Sequence, residues 1–89
     1  MANYTKTIFG SDWVVASPDV RLGIFAAIAR QSANYPNGFD MSESIPIELV
    51  LKSYTVNAAY AMFKESKIGS IKEGFLADIT IWSENLIQL

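Results

Sequence analysis

Histidine and cysteine are both absent from the 89 residues. Without cysteine there is no disulfide and no thiolate chemistry. Without histidine there is no imidazole to move a proton near neutral pH or to hold a transition metal. Charge is sparse as well, at 18% of residues, against about 25% in ordinary globular chains. No apolar run reaches the roughly 18 residues of a membrane span, so no membrane partner is expected. The opening residues Met1-Ala2-Asn3-Tyr4-Thr5-Lys6 are polar and carry no apolar signal core, which makes a cytoplasmic location the expectation. The seven basic residues, Lys6, Arg21, Arg30, Lys52, Lys64, Lys67 and Lys72, are scattered, and the net charge is −2. Such a surface repels a phosphate backbone on average, so no nucleic-acid partner is expected.

Apolar residues, by contrast, are plentiful: 51% of the chain is hydrophobic. A single small domain over residues 1–89 is all that this length supports. Such a chain buries only about 60–65% of the surface its unfolded form exposes, so its stability is marginal. The apolar surplus predicts a homo-oligomer, most simply a dimer, joined through helix faces or strand edges.

Local patterns predict an α+β fold in the order β–α–α–α–β. Thr5 to Phe9 is rich in β-branched and aromatic residues and stops at Gly10, as a short strand does. Gly10-Ser11 then bends the chain, which places Asp12 just past the strand's end. Ser17-Pro18-Asp19 is a strong helix start. The helix is expected from Pro18 to about Ser32, with Leu22, Phe25, Ala26 and Ala29 on one stripe and Ile24, Ala27 and Ile28 on the next. A face that wide requires burial on two sides. The loop expected around Asn34-Tyr35-Pro36-Asn37-Gly38 runs on through Ser44.

Ile47, Val50, Leu51 and Tyr54 fall at i, i+3, i+4 and i+7, the spacing of an amphipathic helix. Thr55 is placed to cap a further helix over Val56 to Lys64; the two may equally be one helix bent at Tyr54-Thr55. Gly69 and Gly74 predict a turn or short hairpin. From Leu76 to Trp82 the side chains alternate, with Ala77, Ile79 and Ile81 on one face, and this predicts a second strand. Two strands this far apart form a marginal sheet with open edges.

Several of these segments together resemble one family. Gly10-Ser11-Asp12-Trp13, Ala27-Ile28-Ala29-Arg30, Tyr54-Thr55-Val56-Asn57-Ala58-Ala59-Tyr60-Ala61, Gly69-Ser70-Ile71-Lys72-Glu73-Gly74 and Leu76-Ala77-Asp78-Ile79 stand in the order and approximate spacing of the C-terminal region of metal-dependent amidohydrolases, specifically the YtcJ-like amidohydrolase 3 family. The resemblance covers about residues 8 to 83. It implies the last strand–helix unit of a TIM barrel, further helices, and a strand returning to a small β-sandwich. It also implies that this chain is a fragment of a longer enzyme that hydrolyses carbon–nitrogen bonds other than peptide bonds.

By the same resemblance, Asp12 matches the family's catalytic aspartate, which binds the divalent metal (zinc) and takes a proton from the attacking water. The metal's other ligands in the family are mainly histidines on earlier strands, and this chain has none. An aspartate carboxylate alone is far too weak a base for ordinary water. The chain alone is therefore expected to hold no cofactor and to be inactive by itself. The alternative is a non-catalytic small protein that self-associates or binds a partner. Val14, Leu49, Val50 and Phe75 depart from the family pattern, and three of these four are larger or more apolar than the family residue.

Other candidates read as structural first. Trp13 is expected half-buried in the core, and Arg30 is expected solvated at a helix end. Asp78 is expected to hydrogen-bond locally, and Tyr54, Thr55 and Asn57 look like helix-junction residues. Glu43 and Glu48 are loop and helix-surface charges. No residue is assigned to substrate binding.

Overall fold

The computed structural model describes residues 5–88. Three helices carry the fold: α1 (Val20–Ala29), α2 (Ile47–Tyr54) and α3 (Val56–Ala61), with short 3₁₀ turns at Met41–Glu43 and Leu86–Gln88. The expected α+β layout is not formed. Among the described residues there is no strand, and the sole β-type pairing is an isolated bridge between Ser32 and Tyr35.

Each of the two expected strands fails for want of a partner. Residues 5–10 do run without helical or turn structure, but they lie along the α2–α3 junction. There Phe9 N–H donates to Ser53 O (3.2 Å) and Asn57 Nδ2 donates to Thr7 O (3.1 Å). These backbone groups are satisfied by a helix end and a side chain in place of a ladder. Leu76 to Trp82 keeps its alternation without pairing, and Ile81 is left 92% exposed. Neither the barrel strand nor the returning sandwich strand implied by the resemblance is present as a strand.

The helix starts follow the local chemistry. Asp19 is the N-cap of α1 and accepts from Arg21 N–H (3.0 Å). Ser17 Oγ accepts in turn from Asp19 N–H (3.2 Å). The expected start at Pro18 is thus moved inward by one cap. The helix also ends earlier than expected. Arg30 takes a left-handed φ of 51°, held there because it exchanges two hydrogen bonds with Phe39: Phe39 N–H to Arg30 O (2.9 Å) and Arg30 Nε to Phe39 O (2.6 Å).

The Arg21 guanidinium grips both oxygens of Asp19, at 2.9 and 2.6 Å. That side-chain contact, followed by the backbone N–H, holds the Asp19 carboxyl at about 2. A depressed folded-state pKa means the cap contributes above the unfolded value near 3.9 and is lost as pH falls through about 2. The Asp19 side-chain resonance should therefore titrate with a midpoint near 2 in the folded chain, and Arg21→Ala should move it up. A midpoint near 4 in the unsubstituted chain would contradict the pairing.

α2 and α3 form an elbow at Thr55, where φ and ψ are −120° and −92°. The expected forward cap is absent. The Thr55 hydroxyl bonds backward to Leu51 O (2.7 Å), so it closes α2 instead of opening α3. α3 stops at Ala61, short of Lys64. The core sits inside this elbow: Val50, Ala59 and Ser53 are the buried residues, and Ser53 Oγ is satisfied by Leu49 O (2.8 Å). Gly69 packs beneath it, close to Ala59 and the Thr55 carbonyl. The expected hairpin between Gly69 and Gly74 reduces to a turn closed by Phe75 N–H on Lys72 O (3.1 Å).

α1 meets α2 through Gly23, whose lack of a side chain admits the Tyr54 hydroxyl. The segment leading into α2 ties to α1 through Ile45 N–H on Ala27 O (3.1 Å) and Ser44 Oγ on Ile28 O (2.6 Å).

Candidate functional site

Gly10 and Ser11 carry the chain away from the α2–α3 elbow into a turn over 12–15. Val15 N–H closes it on Asp12 O (2.7 Å). Asp12 sits at its start with φ of 51°. Aspartate is one of the few residues besides glycine that enters this conformation routinely. The side chain is exposed, and no hydrogen bond from a described residue reaches its carboxylate. Asp12 is therefore presented outward, free to meet a group from elsewhere.

The turn is apolar apart from Asp12. Trp13, Val14 and Val15 are all exposed, Trp13 by 68%. The expected burial of Trp13 in the core does not occur, because no element of the described chain covers that turn. Beside it, Gly10, Ser11 and the residues from Ala16 to Gly23 line a hollow of about 480 Å³ that Tyr54 closes from below.

The remaining candidates are apart from Asp12 and hold the frame. Arg30 is tied to the Phe39 carbonyl. Tyr54 is fixed between Gly23 and the Phe9 ring, which meets it edge-on at 5.5 Å. Asn57 holds the Thr7 carbonyl, as a junction residue should. Asp78 is exposed beside an apolar hollow with Ile79 and Trp82, and Glu43 and Glu48 are exposed.

A divalent ion needs several ligands converging on one point. Among the described residues no three of His, Cys, Asp and Glu come close enough to hold one, and the whole chain lacks His and Cys. The residues present do not fit such a site. What the sequence left invisible is the long apolar groove beside α1, built from Ile24, Phe25 and Ile28 against Ile81 and Trp82. Its signal was the double apolar stripe of α1.

The amidohydrolase family model matches residues 1–89, the full length of the chain. The chain belongs to the amidohydrolase family. Among curated relatives of this amidohydrolase, Bacillus subtilis (strain 168) "Putative amidohydrolase YtcJ" is 38% identical over 76 residues, which is 83% of this chain and 14% of that protein. Arabidopsis thaliana "Protein LONG AFTER FAR-RED 3" is 36% identical over 76 residues, or 85% of this chain and 13% of that one. The chain thus spans about a seventh of the length of the curated relatives it matches. No solved structure matches it at comparable stringency. The family is generally metal-dependent, so the ligand-poor surroundings of Asp12 set this amidohydrolase sequence apart from what its family requires. No helix among the described residues is long and apolar enough to cross a membrane.

Proposed function

We propose that this chain is the C-terminal segment of a carbon–nitrogen hydrolase, working in the cytoplasm, and that it contributes one catalytic carboxylate, Asp12, to a centre completed by residues outside these 89. The observation that carries this reading is the outward presentation of Asp12 on an uncovered apolar turn, in a chain whose whole length matches the amidohydrolase family. A carboxylate in that position accepts a proton from an attacking water once neighbouring groups have made that water acidic. Alone, Asp12 has no such neighbours, and the chain is inactive.

Titration of the purified chain with zinc at micromolar concentration, followed by assay against simple amides and esters, tests this. No stoichiometric uptake and no turnover are expected. Tight one-to-one zinc binding with turnover by the chain alone would overturn the reading.

A second reading is favoured by the exposure of Leu22 and Phe25 on the outer side of α1. In isolation the chain pairs with a second copy through this stripe and has a binding role without chemistry. The strand-edge route to a dimer has no basis, since no described residue forms a strand. Sedimentation should then show a dimer at micromolar concentration, and a monodisperse monomer would count against it.

A further inference from the structure

Helix α1 has the composition of a core helix and lacks a core around it. Arg21 is its one charged residue; the other positions are apolar or glycine on every side of the axis. Helices of that kind are enclosed by protein. Yet none of the residues of α1 is buried, and Leu22 and Phe25 are 60% and 55% exposed. On one flank lies the groove of about 830 Å³ between α1 and the segment bearing Ile81 and Trp82. On the other lies the hollow beside the Asp12 turn.

The size of the deficit can be read from the surface. The chain exposes 7266 Å², about 2,000 Å² more than the roughly 5,200 Å² expected of a folded monomer of its mass. Its radius of gyration is 14.3 Å, against about 12 Å for a compact chain of this length. An obligate interface removes about 1,000–2,500 Å² from each partner, so the excess is that of one whole missing interface.

A second copy does not fill it. A two-fold contact uses one self-complementary patch. Here the exposed apolar residues lie on several segments: Trp13 to Val15, both flanks of α1, Phe63 and Ile71. Enclosing α1 on all sides takes several elements, hence a larger polypeptide. The relatives have one, since this chain matches only 14% and 13% of their lengths.

We infer that α1 and its two flanking grooves are packing faces for a histidine-bearing polypeptide of the amidohydrolase family, with Asp12 at the seam. The inference rests on the function proposed above, and it names the partner that completes the site. Homodimerisation through Leu22 and Phe25 is what the uncovered face does in the partner's absence, and the partner displaces it.

The test mixes the 89-residue chain with B. subtilis YtcJ from which the matching 76 residues have been deleted. Light scattering should show a one-to-one complex. Hydrogen exchange in α1 should slow by about 100-fold when the truncated partner is at about 100 times its Kd. The double variant Leu22→Asp, Phe25→Asp should abolish complex formation while the free chain keeps its α2–α3 helical signal. A chain that stays monomeric or dimeric in the mixture, with α1 exchanging at its free rate, overturns the inference.

If truncated YtcJ is insoluble, the same question is put to a chimera in which this chain replaces the matching segment of full-length YtcJ. A soluble chimera with α1 protected supports the inference; α1 exchanging as fast as in the free chain overturns it. Complex formation is read without metal or substrate, so it stands apart from hydrolysis. A complex that neither takes up zinc nor turns over amides supports the docking face and defeats the hydrolytic reading.

Discussion

Gly69→Ala is expected to be the most damaging single methyl that can be added to this chain. Gly69 has φ of +91°, and an added Cβ would lie 2.8 Å from the Ala59 Cβ and 3.1 Å from the Thr55 carbonyl oxygen. Neither neighbour can step aside easily. Ala59 is buried in the elbow, and the Thr55 carbonyl already accepts from Ala59 N–H (3.0 Å). Two penalties therefore act together. Positive φ costs a side-chain-bearing residue about 1–2 kcal/mol. Overpacking a closed contact costs about 1–3 kcal/mol more.

Gly74→Ala separates the two. Its φ is +86°, yet nothing lies within 4 Å of its added Cβ. It should lose only the backbone share. Urea unfolding of the two variants should place Gly69→Ala below Gly74→Ala by about 1–3 kcal/mol. A small domain has only about 5–15 kcal/mol to lose, so the Gly69 variant is expected to populate unfolded chain even without denaturant. Equal midpoints would show that the elbow is not where stability is concentrated.

The same elbow shows what local sequence could and could not reveal. The α2 spacing of Ile47, Val50, Leu51 and Tyr54 reproduces the observed helix because a helix satisfies its own backbone. The break at Thr55 was visible for the same reason, although the direction of its hydroxyl was not. Thr5–Phe9 and Leu76–Trp82 fared differently. Their β-branched, alternating residues express a preference for extended backbone, but a ladder also needs a second strand at the right distance. No pattern within either segment supplies that strand. Both expected strands therefore remain unpaired: one leans on a helix end, the other carries Ile81 into solvent.

The site divides along the same line. Asp12 could be placed past an extended segment from Gly10-Ser11 alone, and the structure puts it on an exposed turn there. Trp13 was expected inside because tryptophan is usually well buried; it lies outside because what would cover it is not in these residues. Both errors have one cause. Short-range patterns report what a segment is suited to pack against, and here much of that surface belongs to something else.

Asp12→Asn carries this argument to activity. Asparagine keeps the size of the side chain and tolerates the left-handed backbone at φ 51°, while it removes the negative charge and the proton-accepting oxygen. In the free chain Asp12 is exposed and no described residue bonds its carboxylate. The substitution should therefore change stability by no more than about 0.5 kcal/mol. It should also leave docking to a histidine-bearing partner intact, because the packing faces are apolar. Hydrolysis by the reconstituted assembly should instead fall by about 10²–10⁴-fold in kcat, the usual contribution of a positioned proton acceptor. That combination, silent in the fold and severe in the rate, is expected only of a group that acts on the reacting water. A loss of stability in the free chain would mean that Asp12 is a turn residue first. An unchanged rate in an active assembly would mean that another carboxylate does the work, and the catalytic assignment of Asp12 would fall.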